Sequence, residues 1–133
     1  MEFLFICRAN VGRSQMAPAF FNRMTKKNHG SGAGTDVGGH EGEPLHEFVI
    51  RCMAELGYDL SRNTRRQLSQ EMVKKADRII VMTEKESLPG YAKSSKKLIF
   101  WDIKDAKDRN YEFHCQTRDQ IKNLVEKLVE NYG

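Results

Sequence analysis

Cysteine, proline and tryptophan are scarce in this chain. Its 133 residues include only three cysteines, three prolines and one tryptophan. An odd number of cysteines without paired spacing argues against a disulfide scaffold and is typical of a reducing compartment. The sequence also has no internal repeat, low-complexity tract or linker. We therefore expect one domain spanning residues 1–133, which is long enough to enclose a single hydrophobic core.

Long apolar runs are absent as well. No segment approaches the length of a membrane span, and the N-terminus has neither a basic leader nor a cleavage site. These absences predict a cytoplasmic protein that has no membrane partner. The net charge of +4 and the pI near 9.0 would attract anionic substrates modestly. Because the sequence offers no aromatic stacking platform, we expect no nucleic-acid partner.

The most informative stretch lies at the N-terminus. Phe3–Ile6 is a short apolar run that predicts a buried strand, Cys7–Arg13 is a loop, and an amphipathic helix follows from Ser14. In this geometry, consecutive backbone N–H groups at a helix N-terminus converge on an anion. They and the helix dipole would stabilise a cysteine thiolate, and the arginine fork suits a phosphate-like oxyanion. One short segment thus supplies both a nucleophile and an anion clamp.

Strand and helix patterns alternate along the rest of the chain, and proline marks several boundaries. Pro18 is expected to distort the start of the first helix. The other expected features are a strand at His29–Thr35, a helix opened by Pro44, a helix capped by Ser69, a strand at Arg78–Met82, a short helix from Thr83 that Pro89–Gly90 ends, a strand at Lys97–Ile103 and a final amphipathic helix. This alternation predicts an α/β fold with a parallel sheet and helices on both faces. Ligands of such folds bind at the carboxyl ends of the strands, where the loop after the first strand lies.

The Cys-x5-Arg-Ser pattern is what phosphoryl transfer through a cysteine requires. The Cys7 thiolate would attack phosphorus while Arg13 and the loop N–H groups hold the equatorial oxygens. Ser14 could donate a hydrogen bond to the sulfur when it leaves in the second step. A general acid is also needed for the leaving oxygen, and its candidates are Asp102 and Asp105, just past the last predicted strand.

At these residues the chain resembles the low-molecular-weight protein tyrosine phosphatase superfamily, which includes the thioredoxin-coupled arsenate reductases. The phosphate-binding loop of that family reads C-x-G-N-x-C-R-S at the extreme N-terminus, and Cys7, Asn10, Arg13 and Ser14 match it. The resemblance covers nearly the whole chain, with further matching segments at Ser31–Thr35, Gly57–Asp59, Ala76–Asp77 and Trp101–Ala106.

The resemblance implies a four-stranded parallel sheet with the phosphate-binding loop after strand 1. It also implies a phosphomonoester hydrolase that works through a phosphocysteine intermediate and needs no cofactor or metal. By analogy Cys7 is the nucleophile, Arg13 binds phosphate and Asp105 is the general acid. Asn10 would brace the loop in a left-handed conformation. The other residues that would surround the substrate phosphate are Arg8, Ala9, Val11, Gly12 and Ser14.

The chain departs from the family pattern at several positions. Ala9 replaces the loop glycine, so we expect a tighter turn there. Gly12 replaces the second loop cysteine, which removes disulfide protection of the nucleophile. Asp105–Ala106 replaces the usual Asp-Pro, so we expect a less rigid acid loop, and Asp102 remains an alternative acid. Pro18 stands where glutamate is usual.

Three functions remain open at this point. The leading one is a phosphatase acting on a phosphotyrosine protein or a small aryl phosphate, since an aliphatic residue at Val11 goes with phosphotyrosine in related bacterial enzymes. The alternative is an arsenate reductase, although the segment 83–95 lacks the required relay cysteine and only Cys52 and Cys115 remain. The third is a catalytically idle phosphate-binding module. We expect a monomer or weak dimer in each case.

Overall fold

A single parallel sheet organises the computed structural model, which describes residues 1–133. The strand order is β2-β1-β3-β4, and every neighbouring pair is parallel. The elements are β1 (Glu2–Cys7), α1 (Arg13–Met24), β2 (His29–Gly34), α2 (Glu47–Ala54), α3 (Gln70–Lys75), β3 (Arg78–Val81), α4 (Gly90–Lys93), β4 (Leu98–Phe100) and α5 (Tyr111–Tyr132). The predicted four-stranded α/β fold is therefore confirmed.

Helices cover both faces of this sheet because the side chains of β1 alternate between two hydrophobic clusters. Phe3 and Phe5 pack with residues of α1, α2 and α5 on one face. Leu4 and Ile6 pack with residues of α3 and α4 on the other. Burying each such side chain contributes about 1.5–3 kcal/mol to folding. Because β1 is buried on both faces, its carboxyl end is firmly placed.

The loop after β1 opens at the centre of the carboxyl edge of the sheet. Cys7 is the last residue of β1, which lies between β2 and β3. It pairs with Gly34 at the end of β2, and its neighbour Ile6 pairs with Val81 at the end of β3. The loops that follow β2, β3 and β4 therefore surround the Cys7 loop, as the sheet topology predicts.

Pro18, where a local distortion is expected, does not interrupt α1. The helix runs without a break from Arg13 to Met24. Proline has no N–H for the carbonyl four residues earlier, which belongs to Ser14. That carbonyl lies against β2 at Gly32, where an added Cβ would stand 1.9 Å from the Ser14 oxygen. Because residue 32 of β2 is glycine, the strand leaves space for the Ser14 carbonyl, which Pro18 leaves without a helical hydrogen bond.

Other predicted boundaries were also wrong. Helix α2 begins at Glu47 rather than Pro44, because His46 caps it: its Nδ1 accepts from the Phe48 N–H at 3.0 Å. Pro89–Gly90 opens α4 instead of ending a helix, and the segment after Thr83 forms only a 3-10 turn at Lys85–Ser87. Strand β4 covers only Leu98–Phe100 of the predicted segment.

The predicted cap of the third helix is confirmed, since the Ser69 hydroxyl accepts from the Met72 N–H at 3.3 Å. None of the helices combines the length and the hydrophobicity that crossing a membrane would require.

Candidate active site

The Cys7 loop presents a run of free backbone donors. None of the N–H groups of residues 8–14 donates to a backbone carbonyl of the chain. Backbone N–H groups in a folded protein normally have acceptors, so a consecutive set without carbonyl partners points to a ligand or to solvent. This set wraps the N-terminus of α1, where the helix dipole also favours negative charge. The loop is built to receive an anion.

Asn10 fixes the curvature of the loop. Its φ of 55° lies in the left-handed region, as expected, and asparagine tolerates that conformation better than most residues. The side chain is fully buried and fully used: Nδ2 donates to the Ser14 hydroxyl at 2.6 Å. Its Oδ1 accepts from the Gln15 amide at 2.9 Å and from the Arg66 backbone N–H at 2.8 Å. These contacts tie the loop to α1 and to the segment before α3.

Ser14 lies directly beside the Cys7 sulfur, with 2.9 Å between Oγ and Sγ. Because Asn10 already donates to the Ser14 oxygen, the Ser14 hydroxyl proton is free to point at Cys7. A hydroxyl in this position can donate a charge-assisted hydrogen bond to the sulfur whenever the sulfur carries negative charge. Asn10, Ser14 and Cys7 thus form a short chain of hydrogen bonds that ends at the sulfur.

The Arg13 guanidinium is anchored to the ends of two other strands. Its Nη1 donates to the carbonyl of Met82, after β3, and to that of Ile103, after β4, the latter at 2.9 Å. Its Nη2 lies 3.7 Å from Oδ2 of Asp105. The side chain is buried, so its orientation is set by these partners. With Nη1 occupied, Nε and Nη2 remain available to grip an anion in a bidentate manner.

Asp105 begins a compact turn above this clamp. Its Oδ1 accepts from the Lys107 N–H at 3.0 Å, and the Ala106 carbonyl accepts from the Arg109 N–H at 3.0 Å. Asp108 completes the turn with a φ of 62°. The turn therefore has a defined geometry without the family's proline. The side chain of Asp105 is half-exposed, which leaves one oxygen accessible to a ligand.

Asp102 lies apart from Cys7. Its carbonyl accepts from the Gln120 amide at 3.2 Å, and the residue borders a neighbouring cavity that Cys7 does not line. Asp105, in contrast, lines the same cavity as Cys7. Of the two acid candidates, the structure brings only Asp105 together with the cysteine.

That cavity has a volume of about 520 Å³. Of the predicted phosphate-binding residues, Arg8, Ala9, Val11 and Gly12 line it together with Cys7 and Arg13. Asn10 and Ser14 are buried behind the loop and act as supports. The rest of the wall includes the loop after β2, His46, Arg65, the turn Asp105–Arg109 and residues from the start of α5.

Ala9, which stands where the family has glycine, does not adopt the left-handed backbone conformation that favours glycine. Only Asn10 and Asp108 among the non-glycine residues have positive φ, and Ala9 therefore has a conformation open to any residue. At Gly12 there is space for a side chain, since an added Cβ would meet Val49 at an ordinary 3.5 Å.

Sequence reasoning missed two supports of the loop. The Gln15 amide bonds to the Asn10 side chain and to the Thr64 carbonyl, the latter at 3.0 Å. Gly34 allows a close backbone approach, since an added Cβ would stand 2.6 Å from the Arg8 carbonyl oxygen. Glycine at alternate positions of β2 was a usable signal, because glycine inside a strand often marks such an approach.

The two other cysteines do not line this cavity. Cys52 is fully buried, its thiol contacts the Val49 carbonyl at 3.5 Å, and burial raises its pKa to about 11. Cys115 is partly buried on α5. No group of three or more His, Cys, Asp or Glu side chains is placed to hold a metal ion.

Comparison with known proteins agrees with this geometry. Residues 2–132 match the low molecular weight phosphotyrosine protein phosphatase family. The chain belongs to this family. It is 28% identical to a low molecular weight protein tyrosine phosphatase from T. tengcongensis, whose crystal structure superposes with a TM-score of 0.87 over 98% of this chain and 99% of that one.

Sequence relatives carry two kinds of names. A Halobacterium salinarum protein that bears a provisional arsenate reductase name is 30% identical over 99% of this chain and 93% of its own length. The low molecular weight protein-tyrosine-phosphatase YfkJ of Bacillus subtilis is 29% identical over 97% of this chain and 94% of its own length. Family membership therefore establishes the enzyme class but leaves phosphatase and arsenate reductase as the two activities to be distinguished.

Proposed function

We propose that this chain is a phosphomonoester hydrolase of the protein tyrosine phosphatase type, with Cys7 as nucleophile. One observation carries the proposal: the loop that follows Cys7 has a run of backbone N–H groups without carbonyl partners, and Cys7, Arg13 and Asp105 line the same cavity. The loop supplies the anion site, the sulfur supplies the nucleophile, and a carboxyl group is present for proton transfer.

In the first step the thiolate attacks phosphorus, the S–P bond forms and the P–O bond to the leaving group breaks. Arg13 and the loop N–H groups hold the three equatorial oxygens, on which charge is spread in the transition state. Asp105, in its protonated form, gives its proton to the departing oxygen. The products are the free alcohol or phenol, the phosphocysteine and an ionised Asp105.

In the second step water replaces the cysteine at phosphorus. The Asp105 carboxylate takes a proton from the attacking water, the P–O bond forms and the S–P bond breaks. The sulfur leaves as a thiolate, and the Ser14 hydroxyl at 2.9 Å is placed to stabilise it as charge develops. The released phosphate leaves the enzyme in its starting state, with Asp105 again protonated.

Phosphotyrosine is the substrate that the cavity wall favours. The aliphatic side chains of Val11 and Val37 and the imidazole of His46 line the space beside the loop. Apolar and flat side chains of this kind pack against a phenyl ring. A phosphotyrosine side chain, in a protein or as a small aryl phosphate, is therefore the proposed ligand.

Arsenate reduction is the second candidate, and the relatives named arsenate reductases favour it. It requires a second thiol that reaches the Cys7 sulfur. Cys52 and Cys115 lie on helices outside the Cys7 cavity, which argues against an internal relay. A protein that only binds phosphate would need the loop, but it would have no use for the hydrogen bond between Ser14 and the Cys7 sulfur.

The deciding experiment measures hydrolysis of phosphotyrosine, phosphoarginine and 4-nitrophenyl phosphate, with arsenate reduction by thioredoxin assayed in parallel. We expect hydrolysis of both aryl esters and little arsenate reduction. The control is Cys7→Ser, which should lose turnover but still bind vanadate, because the serine hydroxyl is hardly ionised while the anion site is intact. Rapid arsenate turnover without ester hydrolysis would make the reductase the correct assignment.

A further inference from the structure

Two histidines stack on each other in the wall of the Cys7 cavity. The rings of His46, just before α2, and His114, in the first turns of α5, have centroids 5.2 Å apart and planes 16° apart. Phe48 packs edge-on against His114 with centroids 5.5 Å apart. His114 is only 6% exposed. The pair thus joins the N-termini of two helices on the cavity side.

The His46 ring is a fixed platform for this stack. Its Nδ1 accepts the Phe48 N–H that caps α2, so that nitrogen carries no proton while the cap is intact. Helix caps of this kind contribute about 1 kcal/mol, which opposes rotation of the ring. His114 therefore packs between a ring held by a helix cap and the edge of Phe48.

The other side of His114 faces the turn that begins at Asp105. His114, Asp105 and Ala106 line the same cavity, and Ala106 is buried. Burial and then the neighbouring His46 lower the pKa of His114, whereas the Asp105 carboxylate and the Ala106 backbone act in the opposite direction. The imidazole thus lies within electrostatic reach of the residue proposed as general acid and of the backbone next to it.

We propose that His114 is a positioning residue that holds the Asp105–Arg109 turn over Cys7. The proposal rests on the proposed phosphatase function. His114 acts through Asp105 rather than on the reacting atoms, and it lines the same cavity as a turn that has alanine where the family has proline. Outside its own turn, the Asp105 carboxylate contacts one side chain, that of Arg13. Nη2 of Arg13 lies 3.7 Å from Oδ2 of Asp105, which is longer than a hydrogen bond. Without His114 the carboxyl group would remain present but lose its fixed position.

The test compares two esters in His114→Phe, which keeps a flat ring of similar size but removes both ring nitrogens. Proton donation matters most for a basic leaving group. We compare kcat/KM, which reports the steps up to phosphocysteine formation, because hydrolysis of the phosphocysteine is common to both esters. We expect kcat/KM to fall at least about tenfold for phenyl phosphate and less than about twofold for 4-nitrophenyl phosphate, since general acids contribute roughly 10²–10⁴-fold and this one would be displaced rather than lost. The matched control is His29→Phe, an exposed residue at the start of β2, at the opposite edge of the sheet.

A double variant separates positioning from general damage. In an Asp105→Asn background, His114→Phe should cause no further loss on phenyl phosphate, because residues that act as a unit are not additive. Equal loss on both esters, or full additivity with Asp105→Asn, would overturn the proposal. Should His114→Phe fail to fold, His114→Asn and His114→Gln place an amide N–H near the positions of the two ring nitrogens. One of these two is expected to retain the ester preference, and an equal loss on both esters in both variants would also overturn it.

Failure of the phosphatase assignment is recognised separately, because the unmodified protein would then hydrolyse neither ester. Amide hydrogen exchange of residues 105–109 still decides the positioning role in that case. Faster exchange in His114→Phe than in His29→Phe is the expected result. Identical exchange in the two variants would show that His114 does not restrain the turn.

Discussion

Replacing Arg13 by lysine is the sharpest test of the anion clamp, because it keeps the charge and changes the geometry. Arg13 divides its donors between two tasks: Nη1 binds the carbonyls of Met82 and Ile103, while Nε and Nη2 are left for the substrate. A lysine has a single ammonium group and cannot form a planar fork. It can bind the carbonyls or the phosphate but cannot serve both with good geometry.

The expected loss follows from this division. Removing one preorganised donor to a transition-state anion costs roughly 2.7–4 kcal/mol, or about 10²–10³-fold in kcat. If the ammonium turns to the phosphate instead, two buried carbonyls lose a charged donor, at about 1–3 kcal/mol for each unsatisfied group. Arg13→Lys should therefore lower either kcat or the free energy of unfolding, depending on which partners the ammonium group keeps. We expect most of the loss in catalysis, since both carbonyls lie next to the arginine's present position.

The assay combines kcat on 4-nitrophenyl phosphate, vanadate affinity and urea unfolding. The control is Arg23→Lys on the same helix, an exposed residue whose guanidinium lies 3.5 Å from the centroid of the Tyr58 ring, away from the Cys7 cavity. A folded Arg13→Lys protein that loses less than about threefold in kcat, far below the scale of one such contact, would refute the clamp geometry described above.

Three further predictions follow from the structure. Gly34→Ala should destabilise the fold by about 1–3 kcal/mol in urea unfolding, because its Cβ would overlap the Arg8 carbonyl. Gly12→Cys should fold normally and make peroxide inactivation reversible by dithiothreitol, since a disulfide to Cys7 then competes with irreversible overoxidation. The pKa of His114 is lowered in the folded protein from the ordinary histidine value of 6.5, so at acidic pH this side chain binds protons more readily in the unfolded chain. The free energy of unfolding should therefore fall as the solution is acidified from pH 7 to 5. This fall should be smaller in His114→Phe.

The parts of the site that sequence reasoning could predict are those encoded in one continuous segment. The apolar run of β1, the Cys7 loop and the start of α1 are adjacent in the chain, so their geometry follows from local patterns. The positive φ of Asn10 belongs to the same class, because it depends on a short side chain that bonds within its own loop.

The parts that could not be predicted depend on contacts between distant segments. The choice between Asp102 and Asp105 depends on where the chain places each carboxyl group after β4, and of the two only Asp105 lines the cavity that Cys7 lines. The start of α2 was misplaced because histidine is an unusual cap, whereas proline is a common first residue of a helix. The role of Gln15 depends on the Thr64 carbonyl, which no local pattern reveals.

The two candidate activities differ in what must reach the Cys7 sulfur. Hydrolysis needs only water at the phosphorus atom, and the accessible oxygen of Asp105 lines the cavity from which such a water would approach. Reduction needs a second thiol at the sulfur of Cys7, a residue that is only 2% exposed at the end of β1. For Cys52 to supply that thiol, α2 would have to unwind and remove a fully buried side chain from the core between α2 and α5. Leaving such a buried position costs about 1–3 kcal/mol before any loss of helix, and burial already disfavours the Cys52 thiolate. A relay through Cys52 is thus opposed by packing and by ionisation together, whereas the hydrolytic route needs no second thiol.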